Sequence, residues 1–287
     1  MSSIVLHRRT PGSLPRLLIY AAVIAAFAMI IGVSLGLGHA KAEVAQVRIA
    51  QQVGVSYLPL IVAKERGLIE KKAAERAGAQ GGMAQLSGAA AMNEALISNS
   101  LDLATAGIAP LITTWAKTRG TANVIGVVAL GNVPNVVTSI NPNVKTIKDF
   151  TEKDRIALPA VKIGFQPQVL QMAAEKEFGQ FDKLDSLTVS MPHPDATAAL
   201  LSGNSEITAH FTSPPFVQQQ LKDPRVHKVL SSYDVLGGPH TFNVAYTTGS
   251  FAQKNPKTVA DIIAGVEEAT IWIKENPAEA ARLYIQA

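Results

Sequence analysis

Residues 95–110, ALISNSLDLATAGIAP, and residues 199–214, ALLSGNSEITAHFTSP, align without a gap at a constant offset of 104 positions. Only four of the sixteen positions are identical, so the kinship lies in the pattern. Each copy reads as helix, turn, strand, turn. The helix end carries two aliphatic residues (Leu96 and Ile97; Leu200 and Leu201), and a residue suited to a left-handed C-cap follows (Asn99; Gly203). An acid stands before the strand (Asp102; Glu206), and the strand breaks at a proline turn (Pro110; Pro214). Upstream, residues 83–86 and 187–191 are short apolar runs that each lead into a helix-starting turn, Ser87-Gly88 and Pro192-His193-Pro194-Asp195. A repeated strand, helix, strand unit predicts two similar lobes.

The lobes do not account for the first 42 residues. Arg8, Arg9 and Arg16 stand in an acid-free segment, residues 17–37 are apolar, and Ala40-Lys41-Ala42 supplies small residues for cleavage. This is the pattern of a secretory signal peptide over 1–42, with export to the periplasm as the expected address. The apolar run is also long enough to span a bilayer, which leaves an uncleaved, membrane-anchored form open. The leader holds four of the 26 basic residues and none of the 22 acidic ones, so the remainder has 22 of each and no net charge. A nucleic-acid partner or polybasic membrane surface is therefore not expected. Cysteine is absent, which excludes disulfides, thiolate metal sites, cysteine nucleophiles and a lipoprotein anchor.

After the leader, residues 47–50 read as a strand, and 60–72 as a helix interrupted by a C-cap turn at Gly67. Residues 78–85 are Gly-rich and make a weak strand, and Pro110 to Thr118 a helix. Residues 124–130, VIGVVAL, form an apolar run of the kind buried in a parallel sheet. Strands are expected over 136–140, 155–158, 162–165, 226–230 and 242–247, and helices from Pro167 to about Phe178, through Leu221, over 256–273 and over 277–285. The alternation predicts α/β lobes with mostly parallel sheets. Lobe 1 is assigned to 44–132 plus 249–287 and lobe 2 to 133–248. Two hinge crossings then join the lobes around a cleft.

Ligands of open α/β sheets bind beyond the carboxyl ends of strands. The repeat offers four such points: Ser87 with Gly88, Gly107 with Ile108 and Pro110, the His193 turn, and Thr212, Ser213 and Pro214. Helix N-termini with Ser, Thr and Gly suit a small oxyanion or a polar neutral ligand without any Lys or Arg. Each point also has a plainer reading. Ser87 can serve as a helix cap, Pro110 and Pro214 as first-turn prolines, and His210 as a packed strand residue. His240 fits a ligand contact or a hinge. The spacings between His193, His210 and His240 match no metal-ligand pattern, and no nucleophile elbow, P-loop, dinucleotide fingerprint or acid-base pair is present, so no metal, no cofactor and no enzyme activity is expected. The first cleft wall reads as small and apolar, the second as the carrier of specificity.

Val47-Arg48-Ile49-Ala50, then Leu58-Pro59-Leu60, then Ala63-Lys64-Glu65-Arg66-Gly67-Leu68-Ile69-Glu70, resembles the mature N-terminus of nitrate/sulfonate/taurine-type substrate-binding proteins of ABC importers. Ser87-Gly88 with Asn93 to Leu96 and Leu101-Asp102, and residues 199–203 with Glu206, resemble that family's next motif. The resemblance implies a type II periplasmic-binding fold, a monomer that closes on a small ligand and docks on an ABC permease of the inner membrane. It places the pocket at Gln51, Gly54 and Tyr57, at Ser87 and Gly88, at Gly107, Ile108 and Pro110, at Gln166, at His193, and at Thr212, Ser213 and Pro214. It implies capture of an organosulfonate first, with nitrate or a carboxylate next. The alternatives are a thiamine-pyrimidine-type binding protein or enzyme, whose Cys-rich motif is absent, and a ligand-sensing partner of a membrane receptor. The family usually continues beyond the helix that ends here at Ala287, which raises the expectation of a shortened product lacking a terminal helix of lobe 1.

Overall fold

The structure, a computed structural model, describes residues 43–74, 80–85 and 88–287, so the signal-peptide assignment lies outside the described residues. Residues 43–287 form one compact unit built on two five-stranded sheets. The first has the order β2-β1-β3-β10-β4, with β1 Gln46–Gln51, β2 Gln80–Gln85, β3 Leu103–Gly107, β4 Val124–Gly131 and β10 Asn243–Thr248. The second has the order β7-β6-β8-β5-β9, with β5 Val136–Ser139, β6 Ile156–Leu158, β7 Thr188–Ser190, β8 Ala209–Thr212 and β9 His227–Ser231. Position by position the two sheets match. In each, three strands are parallel, and the fourth, β10 or β5, runs antiparallel to both its neighbours.

Helices cover both faces of each sheet. On the first, α1 (Leu58–Glu65), α2 (Leu68–Ala74) and the long C-terminal α10 (Pro256–Glu275) bury Leu60, Leu68, Ile262 and Val266 against Val47, Ile49 and Leu103. On the other face, α3 (Ala89–Ile97) places Met92 and Leu96, and α4 (Ile108–Lys117) places Leu111, against the cluster of Ala50, Ala104 and Tyr246. Side chains on successive strand residues point to opposite faces, so β3 can feed Leu103 to one core and Ala104 to the other. In the second lobe, α5 (Phe165–Phe178) packs Leu170 against Ile156, Leu158 and Phe211, while α6 (His193–Ser202) packs Leu200 against Ala157. The remaining helices are α7 (Phe216–Gln220), α8 (Ser232–Leu236), α9 (Gly249–Lys254) and α11 (Pro277–Gln286).

The repeat offset is structural: α3 begins at Ala89 and α6 at His193, 104 positions on. Asn99 (φ 59°) and Gly203 (φ 66°) both adopt the left-handed conformation that ends these helices, and Gly67 (φ 59°) divides α1 from α2. Three expectations are corrected. Residues 243–248 were assigned to lobe 2, yet β10 hydrogen-bonds to β3 and β4, so the chain returns to the first sheet before Asn243. The run 124–130 is an edge strand beside antiparallel β10, with Ile125 41% exposed, and not a strand buried within a parallel sheet. Residues 162–165 form a turn and the start of α5, because Pro167 in the first turn favours helix entry there.

The crossings, residues 132–135 and 237–242, lie side by side. Asn135 N–H donates to Ser232 Oγ (3.0 Å) and Ser232 N–H to Asn135 O (2.8 Å). Phe242 N–H donates to Gly131 O (3.0 Å), and the Tyr233 hydroxyl to Asn132 Oδ1.

Candidate functional site in the interlobe cleft

The parallel strands β1, β3, β6, β7 and β8 all end at one place, where the two lobes face each other across a small cavity. Its first wall carries Gln52, Val53, Ser56 and Tyr57 from the turn after β1, Ala89 from the start of α3, Gly107 and Pro110 at the start of α4, and Asn243 at the start of β10. Its second wall carries Pro159 and Ala160 after β6, Gly164 to Gln166 at the start of α5, His193 at the start of α6, and Ser213 after β8. Phe242 closes the edge at the crossing. The cavity between the walls measures ≈ 30 Å³.

The lobes touch along this rim. Val55 N–H donates to Pro214 O (3.3 Å), and a Cβ added to Gly107 would stand 2.7 Å from Phe165 Cβ. Gly107 is therefore a close-approach glycine, since its backbone (φ −60°, ψ 155°) is open to any residue. Gly54, in contrast, has φ 157° and sits under Pro214 O.

The polar groups are uncharged. Among the described lining residues there is no Lys, Arg, Asp or Glu. Burial drives the Tyr57 phenol well above its ordinary pKa, with Tyr246 adding to the shift, so it stays a neutral hydroxyl beside Asn243 and Gln52. Burial also drives His193 down to about 3 and lowers His210, which feels His193 as well, so both imidazoles are neutral. Asn243 Nδ2 donates to Ser56 Oγ (2.7 Å) and Gln166 Nε2 to Asn135 Oδ1 (3.0 Å). Asn243 Oδ1 and Asn135 Nδ2 are buried without a partner among the described residues. Such groups accept little burial unless a water or ligand completes them.

Of the residues singled out from the sequence, Tyr57, Gly107, Pro110, Gln166, His193 and Ser213 line the cavity. Gly54, Gly88 and Pro214 stand on its rim, where Gly54 meets Pro214 O and Gly88 faces Pro159 O. Gln51, the last residue of β1, is not among the lining residues, and Thr212 lies behind them, its Oγ1 3.4 Å from His193 Nδ1. Ile108 does not offer its N–H, which already donates to Phe242 O (2.8 Å). Ser87 lies outside the described residues. The first wall is not apolar as expected: Gln52, Ser56, Tyr57 and Asn243 make it as polar as the second. Pro159, Ala160 and Asn243 were missed; the strand-end rule that found the other turns applies equally after β6, whereas Asn243 needs the true place of β10. His240, at the crossing, meets Ser232 Oγ (2.8 Å) and stacks near Phe165.

A family model for the NMT1-like family matches residues 40–286. The chain belongs to the NMT1-like family. No match among curated protein sequences was found. Among solved structures, this NMT1-like chain is similar to the alkanesulfonate-binding protein of Xanthomonas axonopodis pv. citri bound to MOPS, with 21% identity and a TM-score of 0.68 over 85% of this chain and 80% of that one. It is similar to the periplasmic aliphatic sulphonate binding protein of Escherichia coli (22% identity, TM-score 0.64, 85% and 79% covered). It is also similar to the periplasmic nitrate-binding protein of Synechocystis PCC 6803 (17% identity, TM-score 0.66, 84% and 66% covered). These likenesses give the NMT1-like chain a periplasmic-binding-protein fold of two α/β lobes joined by two crossings.

Proposed function

We propose that this NMT1-like protein is the periplasmic substrate-binding component of an ABC importer, a non-enzyme that captures a small anion or polar solute between its lobes. The carrying observation is the cavity between the lobes, ringed by strand ends of both and furnished with neutral N–H and hydroxyl donors. Oriented neutral donors in a closed site hold an oxyanion without a counter-charge. Likeness to alkanesulfonate- and nitrate-binding proteins supports a short organosulfonate first, with nitrate or a carboxylate next. Ligand touching both walls stabilises the closed state, and an inner-membrane permease recognises that state. On this reading the protein works as an exported monomer.

The test is a thermal-shift panel on the purified protein with methanesulfonate, taurine, nitrate and acetate. A binder at a hundredfold excess over Kd adds about 2.7 kcal/mol, a rise of roughly 5–11 °C for a chain of this size. The ligand must also be recovered unchanged. A panel that leaves Tm unmoved, or a ligand that is consumed, contradicts the proposal.

A further inference from the structure

Behind His193 lies a chain of buried polar side chains: His210, Gln220, Thr138 and Thr197. Gln220, on α7, is fully buried. Its Oε1 lies 2.7 Å from Thr138 Oγ1, and its Nε2 lies 2.9 Å from Thr197 Oγ1 and 2.6 Å from His210 Nδ1. This orientation gives both amide hydrogens an acceptor and lets Oε1 accept from Thr138. The reversed amide leaves one buried hydrogen with no acceptor among the described contacts, which is costly at a site closed to water.

The orientation of one amide then sets two imidazoles. His210 accepts at Nδ1, so a neutral His210 carries its proton on Nε2. That nitrogen stands 2.9 Å from His193 Nδ1, so His210 donates and His193 accepts. The proton of His193 is thereby placed on Nε2, which bonds to no described residue and belongs to a ring that lines the cleft.

Taking the cleft as the binding site, we infer that His210 and Gln220 are positioning residues that fix His193 as an uncharged Nε2–H donor to a bare ligand oxygen. The relay also opposes a positive charge at this point, because an Nδ1–H on His193 would meet the Nε2–H of His210 head to head. The described contacts of His193 are uncharged: His210 and Thr212 from β8, and Phe216 from α7. The one acid in the first turn of its own helix, Asp195, is exposed to solvent. Across the cleft stand Gln52 and Tyr57. The site therefore takes a permanently ionised oxyanion equally well from pH 8 to pH 5.5.

The experiment uses the purified protein labelled with ¹⁵N-histidine, with methanesulfonate as the probe. Multiple-bond ¹H–¹⁵N spectra should show His193 and His210 both as Nε2–H tautomers, unchanged between pH 8 and pH 5.5, with a coupling across the 2.9 Å N–H···N bond. Kd for methanesulfonate should stay within about twofold over that range. His210→Gln, whose amide can still donate to His193 Nδ1, should keep the tautomer and an affinity within about threefold. His210→Phe should give mixed tautomers and bind fivefold or more weakly. His193 protonated at Nδ1, an imidazolium forming near pH 6, or His210→Phe leaving tautomer and affinity untouched would each overturn the relay. If the variants fail to fold, the spectra of the unaltered protein decide alone. The stated tautomers with an Nε2 resonance that methanesulfonate does not move would support the relay and overturn the anion reading of the cleft.

Discussion

Gly107→Ala separates closure from folding. The backbone of Gly107 (φ −60°, ψ 155°) suits alanine, so the change stores no strain in lobe 1. The added Cβ would lie 2.7 Å from Phe165 Cβ, 3.5 Å from Phe165 Cγ and 3.6 Å from Phe242 Cε2. Carbon atoms at rest keep about 3.5–4.0 Å, so the facing turns must part by roughly 1 Å. Phe165 Cβ is tied to the first residue of α5 and cannot swing aside as a side-chain tip could. Overpacking of this kind costs about 1–3 kcal/mol. The cost falls on the closed arrangement alone, because Phe165 belongs to the opposite lobe. Apparent affinity scales with the population competent to bind, so Kd should rise roughly 5- to 150-fold. Calorimetric titration with the best anion of the panel measures this, and melting of the ligand-free protein supplies the control. Affinity within twofold of the parent refutes the reasoning, and so does a ligand-free Tm that collapses.

Other consequences concern stability. His193 has a folded pKa of about 3 against about 6.5 unfolded, so the unfolded chain binds the proton first and stability falls as pH drops below about 6.5. Between pH 7 and pH 5 His193 alone should cost about 2 kcal/mol, with His210 acting in the same direction, and a urea midpoint that stays flat over this window would contradict it. The matched acids of the repeat should differ. Asp102 is nearly buried and accepts from Arg48 N (2.8 Å), Nε (2.9 Å) and a terminal guanidinium nitrogen (2.7 Å), whereas Glu206 is exposed. Asp102→Ala should cost about 2–3 kcal/mol and Glu206→Ala less than about 0.5 kcal/mol, and equal costs would show that the two serve alike. Gly265→Ala would put a Cβ 2.8 Å from Ile69 Cγ1 and 3.2 Å from Ile69 N, prising α10 from α2. Its overpacking cost of about 1–3 kcal/mol exceeds the helix-propensity gain of at most about 1 kcal/mol, so an unchanged or raised urea midpoint would count against that contact.

The repeat carried most of the fold because its signals are local. Asn99, Gly203 and Gly67 mark helix ends through backbone sterics that need no partner. Strand partnership is not local, and a strand's own residues do not encode it. FNVAYT has the same β character whichever sheet receives it, and only the pairing of Asn243 with Gly107 and Gly131 shows where β10 belongs. VIGVVAL likewise carries no mark of being an edge strand, since an apolar run reads alike when buried on both faces or on one. At the cleft, His193 and Ser213 stand out because their turns repeat those of lobe 1. The relay of His210 and Gln220 stayed hidden. A histidine in a strand and a glutamine in a short helix signal nothing until the fold brings their nitrogens to 2.6 Å.

The central claim is that both lobes close on an oxyanion that accepts from His193. A crystal structure of the protein grown with the strongest binder of the panel addresses it directly. One ligand oxygen should lie about 2.7–3.1 Å from His193 Nε2, with other atoms of the ligand against Ser56 or Tyr57 of the facing lobe. A ligand bound outside the cleft, or held by one lobe without meeting His193, would contradict the account.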